Sequence, residues 1–219
     1  MARVDTSQSA NIHFRSGSSG SGKSWSIKID IKKAGRLIIF DPDDEYAEIP
    51  RIHTVKTARD LLAMLKTHPR GALRLRFVAN GKEAFDFWCR AVFGWGNCTC
   101  VAEEIAGVTS PSKAPAGWHM LISRGRKRGI TIYAVTQRPA EADKTVLGNA
   151  TTIRTGRLSR ANDRKYMAIE MDIPVIKINV LQNLEFVEKS HMTGKAFTGK
   201  VGTKQRREII THVETNKTR

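Results

Sequence analysis

The sequence predicts an α/β fold: a mostly parallel central sheet flanked by helices, built as a single domain. Three observations carry that expectation. Short β-branched or apolar runs, most of them bounded by Gly, Pro or Asp, alternate with stretches of helical periodicity, the pattern of strands joined by crossover helices. A glycine-rich loop, Gly17-Ser-Ser-Gly-Ser-Gly-Lys-Ser24, follows the first of these runs. The chain has 219 residues, enough for one fairly large domain with a real core.

Taken in order, residues 1–10 read as a flexible polar tail. Residues 11–16 form the strand before the glycine loop, although His13 and Arg15 stand where a central strand is ordinarily apolar. The next segment has two readings. Trp25, Ile27, Ile29 and Ile31 alternate at period two, a strand signal, whereas a phosphate loop needs a helix here, which Gly35 would end. Residues 36–41, 72–79, 98–102, 130–135 and 151–155 read as strands. Helices are expected over 57–66, with Ala58, Leu61, Leu62 and Leu65 in register, over 82–93, with Phe85, Trp88, Cys89 and Val92, and over 160–171, capped by Ser159. The domain is drawn at 11–200, leaving 201–219 as a basic C-terminal segment or tail that contains Lys204, Arg206, Arg207, Lys217 and Arg219.

Charge narrows the partner. With 37 Lys and Arg against 21 Asp and Glu, the formal net charge is +16, so the surface field favours an anionic polymer, nucleic acid before lipid. No apolar stretch approaches the roughly 18–20 residues that cross a bilayer, and the N-terminus lacks the apolar core of a signal peptide. A soluble, non-secreted protein is expected, cytosolic or held inside an assembly. Cys89, Cys98 and Cys100 fall in or beside apolar runs and read as reduced, buried thiols; Cys98-Thr-Cys100 is too tight for a zinc knuckle. The six histidines are scattered, and none is assigned to catalysis.

The loop Gly17, Ser18, Ser19, Gly20, Ser21, Gly22, Lys23, Ser24 matches G-x-x-x-x-G-K-[ST], in which backbone N–H groups wrap nucleotide phosphates. Its glycines let the backbone approach phosphate oxygens, Lys23 meets the β- and γ-phosphates, and Ser24 offers a hydroxyl to Mg²⁺. A Ser/Gly linker that happens to end in Lys-Ser is the other reading. Downstream, the apolar run 98–102 ends in Glu103-Glu104, the form of a Walker B strand. Glu103 would bind the Mg²⁺ water shell and Glu104 would deprotonate the attacking water; a strand leaving the core at two solvated glutamates has the same appearance. Gln137 closes another buried strand, either as a γ-phosphate sensor or simply as its polar end. Arg124, Arg126 and Arg128 make a solvated helix end or supply an arginine finger to a neighbouring subunit. The loop 107–117 follows the paired acids and has Lys113 as its only charge.

Gly17 to Ser24, Phe40-Asp-Pro-Asp-Asp-Glu-Tyr46, Glu103-Glu104 and Gly125-Arg-Lys-Arg-Gly followed by Thr136-Gln-Arg-Pro139 stand in the order seen in the FtsK/HerA superfamily, which the chain resembles over roughly residues 11–190. The resemblance implies a RecA-like P-loop ATPase that takes ATP and Mg²⁺ and translocates double-stranded DNA as a homo-oligomeric ring, a hexamer in preference to a pentamer. By position it implies Arg126 as the trans-acting arginine and Gln137 as the sensor glutamine. Glu103 departs from the family's usual Asp by one methylene. Larger members add membrane anchors or recognition domains; a short, strongly basic member is most similar to the genome-packaging ATPases of tailless viruses with an internal membrane. Such a protein would act at the packaging vertex of a virion or in the host cytoplasm, beside capsid portal or vertex proteins. A P-loop kinase and a non-enzymatic DNA-binding virion protein are the competing functions.

Overall fold

The computed structural model describes residues 11–209. Strands β1 (Asn11–Ser16), β2 (Arg36–Phe40), β3 (His53–Val55), β4 (Leu73–Phe77), β5 (Thr99–Ala102), β6 (Thr131–Thr136) and β7 (Thr152–Gly156) run parallel. Strands β8 (Glu185–Ser190), β9 (Ala196–Lys200) and β10 (Arg206–Ile209) extend one side antiparallel. Among the described residues this gives a ten-stranded sheet in the order β10-β9-β8-β7-β1-β6-β5-β2-β4-β3. Helices α1 (Lys23–Asp30), α2 (Ala58–Thr67), α3 (Lys82–Trp95), α4 (Ala116–Arg124), α5 (Lys144–Asn149), α6 (Ala161–Glu170) and α7 (Ile176–Asn179) complete the chain. The expected mostly parallel α/β sheet with flanking helices is borne out.

Period-two alternation along the strands divides the core between the two faces of the sheet. On one face Phe14, Ile38, Phe40, Leu75, Phe77, Cys100, Ile132 and Ala134 meet the helices that follow β3 to β7. An aromatic centre of Phe40, Phe77, Phe85, Trp88 and Trp118 joins β2 and β4 to α3 and α4, with ring centroids 5.1–6.2 Å apart. Removing a fully buried ring of this size costs about 3–5 kcal/mol, so this cluster anchors the frame that carries the acidic strand end. The thiols of Cys89, Cys98 and Cys100 are free and buried.

The other face is smaller and settles the ambiguous segment. Residues 25–31 are helical through Asp30. Ile27 and Ile31, four apart, are buried against Leu37, Ile39, Val101, Tyr133 and Val135, while Trp25 and Ile29, also four apart, are 47% and 46% exposed. The period-two pattern is therefore two i,i+4 rows on opposite sides of one helix. Gly35 does not end it: Ile31 is the C-cap, held by its N–H to Ile27 O, and a short turn separates it from β2.

One further expectation is corrected. Ser159 does not cap α6; Arg160 occupies that position, and Ser159 instead donates its N–H to Ser18 Oγ at 2.9 Å. Of the segment 201–219, read as a basic segment or tail, Arg206–Ile209 pairs with β9 as an edge strand. Residues 1–10 and 210–219 lie outside the described residues.

The polar residues of β1 also have their account. Arg15 is 4% exposed and pairs with Asp30 at the end of α1 and with Glu188 on β8, both at 3.5 Å. Glu188 also binds Arg154 of β7 at 2.7 Å and Arg206 of β10 at 2.8 Å. His13 stacks on Tyr133, centroids 4.7 Å apart, and its Nδ1 lies 2.8 Å from Thr152 Oγ1. An ion cluster thus ties β1, β7, β8 and β10 to the end of α1.

Candidate nucleotide site

Parallel strands all end on one edge of the sheet, and there the predicted residues converge. Ser16, the last residue of β1, is opposite Thr136 of β6 and Thr155 of β7. The glycine loop that follows is tied down at once: Gly17 N donates to Thr136 O at 3.3 Å and Ser18 N to Arg157 O at 2.8 Å. At Gly17 a β-carbon would fall 2.4 Å from Ser21 Oγ, and at Gly22 it would fall 2.8 Å from Leu184 Cδ2. Gly22 has φ 87° and caps α1 without any side-chain hydrogen bond, and the first turn carries no acid. The N–H groups that open α1 are thereby left for an anion. Lys23 bends back so that Nζ donates to Ser18 O at 3.4 Å. Burial lowers its pKa, with Glu103, Glu104 and Glu45 acting in opposition.

The acids follow β5, which is separated from β1 by β6 alone. Glu103 is 4% exposed. Its Oε1 lies 3.4 Å from Ser24 Oγ, and its Oε2 accepts from the Tyr46 hydroxyl at 3.4 Å. Burial raises its pKa, against the pull of Lys23. Glu104 sits in the left-handed region at φ 45° and is half-buried. It accepts from Thr136 Oγ1 at 3.1 Å and from Gln137 N at 3.1 Å. Burial raises its pKa as well, opposed by those two hydrogen bonds and by Lys23. Gln137 is half-buried at the end of β6, between the loop and the acids.

The donors gathered here are hydroxyl and carboxylate oxygens, the kind Mg²⁺ takes. Among the described residues no three His, Cys, Asp or Glu side chains lie close enough to hold a metal by themselves. The set therefore suits an ion that keeps waters and phosphate oxygens in its shell.

Arg124, Arg126 and Arg128 are not brought to this edge. They lie in the last residue of α4 and the turn that leads to Thr131, where β6 begins. At about 3.3 Å per residue, the six steps from Thr131 to Gln137 put roughly 20 Å between the start of β6 and Gln137. Arg124 and Arg126 are exposed, whereas Arg128 donates to Phe93 O at 3.1 Å and Gly94 O at 2.8 Å. The loop 107–117 leaves from the nucleotide edge; Ser110 and Lys113 pair within it, and Lys113 is exposed.

Glu45 and Tyr46 received no role from the sequence, yet both reach the site. Glu45 Oε2 accepts from Ser24 Oγ at 2.5 Å. The only signal was the segment 40–46 itself, an apolar strand end running into an Asp-Pro turn.

A strand–glycine loop–uncapped helix, with a hydroxyl-bearing strand end between it and paired buried acids, defines a P-loop NTPase fold. No family model matches the sequence. The chain is 32% identical over 178 residues to Protein P9 of Pseudoalteromonas phage PM2, spanning 78% of this chain and 80% of P9, and it belongs to the P9 family. In structure it is similar to the genome packaging NTPase B204 from Sulfolobus turreted icosahedral virus 2. The complex with AMPPCP superposes with a TM-score of 0.72 at 16% identity, covering 89% of this chain and 99% of B204. The complex with ATP-gammaS gives 0.69 at 18% identity, covering 87% and 97%. The resemblance expected from the sequence is borne out at the level of the fold. No helix among the described residues is long and apolar enough to cross a membrane.

Proposed function

We propose that this chain hydrolyses ATP and couples hydrolysis to translocation of double-stranded DNA, as a ring-forming viral genome-packaging motor. The observation that carries the reading is the division of the machinery between two edges of one sheet. Lys23, Ser24, Glu103, Glu104 and Gln137 gather on one edge, and the exposed Arg124 and Arg126 stand on the other, in a chain of net charge +16. The genome-packaging NTPase of similar fold supports the assignment to packaging rather than to conjugation or segregation.

In this reading the open N–H groups at Gly22 and Lys23 receive the phosphates, and Lys23 leaves Ser18 O to meet the β- and γ-phosphate oxygens. Ser24 and Glu103 would hold Mg²⁺, which when bound would supply positive charge beside the phosphates. Glu104 turns from Thr136 and Gln137 to orient the attacking water and take its proton; burial makes it a stronger base than an ordinary glutamate. Gln137 then presents its amide to the γ-phosphate. Arg126 of the next subunit completes the charge on the transferred group, so hydrolysis requires assembly into a ring, preferably of six. DNA is contacted through its phosphates, since a motor accepts every sequence it pulls. The motor works at a virion packaging vertex or in the host cytoplasm, docked on portal or vertex proteins.

ATP turnover of the purified chain with and without long double-stranded DNA tests this reading. Several-fold stimulation is expected, weakening as salt rises. Hydrolysis indifferent to DNA would point to a kinase-like enzyme, and absence of hydrolysis would leave a DNA-binding virion protein.

A further inference from the structure

The segment Asp41-Pro-Asp-Asp-Glu-Tyr46 after β2 takes no part in the chemistry above, yet it is firmly built. Asp41 is fully buried, and its carboxylate accepts the N–H of Glu45 at 2.9 Å, the N–H of Tyr46 at 3.2 Å and Arg76 Nη1 at 3.0 Å. Arg76 in turn holds Asp44 and donates from Nε to Thr54 Oγ1 at 2.8 Å, joining the loop to β3 and β4. This scaffold aims two side chains at the first turn of α1 and at the acidic strand end. The Tyr46 hydroxyl donates to Glu103. Glu45 accepts from Ser24 Oγ at 2.5 Å, far closer than the 3.4 Å between Ser24 and Glu103.

We propose that Glu45 is a positioning residue for the cation of the nucleotide site, acting through Ser24; the inference rests on the nucleotide reading above. A serine hydroxyl has one proton and two lone pairs. Without Glu45 the remaining acceptor is Glu103 at 3.4 Å, so the proton would turn toward the place where a cation must bind. Glu45 takes that proton into a short charge-assisted hydrogen bond, which directs the lone pairs of Oγ the other way and increases their basicity. Asp41 and Arg76 fix the pose, and Tyr46 does the same for Glu103. Glu45 itself stays on the solvent side of the serine, where it need not touch the ion.

The test is equilibrium binding of AMPPCP to the full chain, in EDTA and across a Mg²⁺ titration, for the native protein, Glu45→Ala, Glu45→Gln and Lys23→Ala. Both Glu45 variants should bind the analogue in EDTA within about twofold of the native protein. Removing such an outer partner of a metal ligand typically costs 10–100-fold in metal affinity, so Glu45→Ala should need about 10–100 times more Mg²⁺ for its effect. Glu45→Gln keeps an acceptor without the charge and should fall between. An unchanged Mg²⁺ requirement in Glu45→Ala would overturn the proposal. So would an equal loss in EDTA, which would make Glu45 a contact of the nucleotide or of the fold. If the native protein does not bind AMPPCP, or Lys23→Ala binds it equally well, the nucleotide reading fails and the inference falls with it.

Discussion

The two edges of the parallel sheet are built to opposite rules. On the nucleotide edge each functional side chain is held: Glu104 by Thr136 and Gln137, Glu103 by Ser24 and Tyr46, Lys23 by Ser18. On the far edge, of the three arginines that precede β6, Arg124 and Arg126 are exposed and Arg128 is anchored to the carbonyls that end α3. An ATPase needs a counter-charge on the transferred phosphoryl group, and the nucleotide edge gathers acids and one lysine but no arginine from its own far side. The difference teaches that Arg126 and the acids stand at opposite ends of β6, so in the proposed motor an Arg126 that serves the nucleotide would serve that of a neighbouring copy.

The largest effects should come from the held edge. Lys23→Ala and Glu104→Gln are expected to abolish turnover, Glu104→Gln while still binding ATP; general bases contribute about 10²–10⁴-fold. Near-normal hydrolysis by either variant would remove the catalytic assignment. Arg126→Ala should cost on the order of 10³-fold in DNA-stimulated turnover, the lower end for an arginine finger, with no change in the melting temperature of the subunit. Arg128→Ala should do the reverse, losing about 1–3 kcal/mol of stability through its hydrogen bonds to Phe93 and Gly94 and leaving turnover nearly intact. An Arg128 variant that folds normally but is inactive would move the finger to that residue.

The smallest effect concerns the ion cluster that braces α1 from beneath. Burial, with Arg15 and Arg154 beside it, pushes the His13 pKa down to about 4. The unfolded chain takes up that proton near pH 6.5 and the folded chain only near 4, so stability falls as pH drops through this window. Burial acts to raise Glu188, but Arg154, Arg15 and Arg206 outweigh it and hold the carboxyl below its usual range. Its stabilisation is present above the ordinary glutamate value and is lost as pH falls through the lowered one. Thermal melts from pH 7 to 4 should show the decline, and His13→Gln should flatten its upper part.

Much of the parallel half was legible, because its strands are apolar runs punctuated by turn residues and its nucleotide edge carries short, chemically constrained motifs. The antiparallel extension was not. In β8, Glu185-Phe-Val-Glu-Lys-Ser190 puts charges in a strand whose Glu188 makes sense only beside Arg154 and Arg206, residues distant in sequence. Residues 25–31 misled for a local reason: two helical rows offset by two residues imitate a strand. Within the site the loop and the paired acids were readable, whereas Glu45 was not, since its part depends on Asp41 and Arg76 folding the turn back over Ser24. The separation of Arg126 from the acids was legible, because Arg126 precedes and Gln137 follows the strand read over 130–135.

That separation is tested most directly by mixing subunits. Lys23→Ala and Arg126→Ala proteins, each inactive alone, should regain part of the DNA-stimulated ATPase activity when combined, because an intact Lys23 half-site then meets an intact Arg126 from its neighbour. If mixtures at every ratio stay as inactive as the separate variants, the site is not shared between chains in this way.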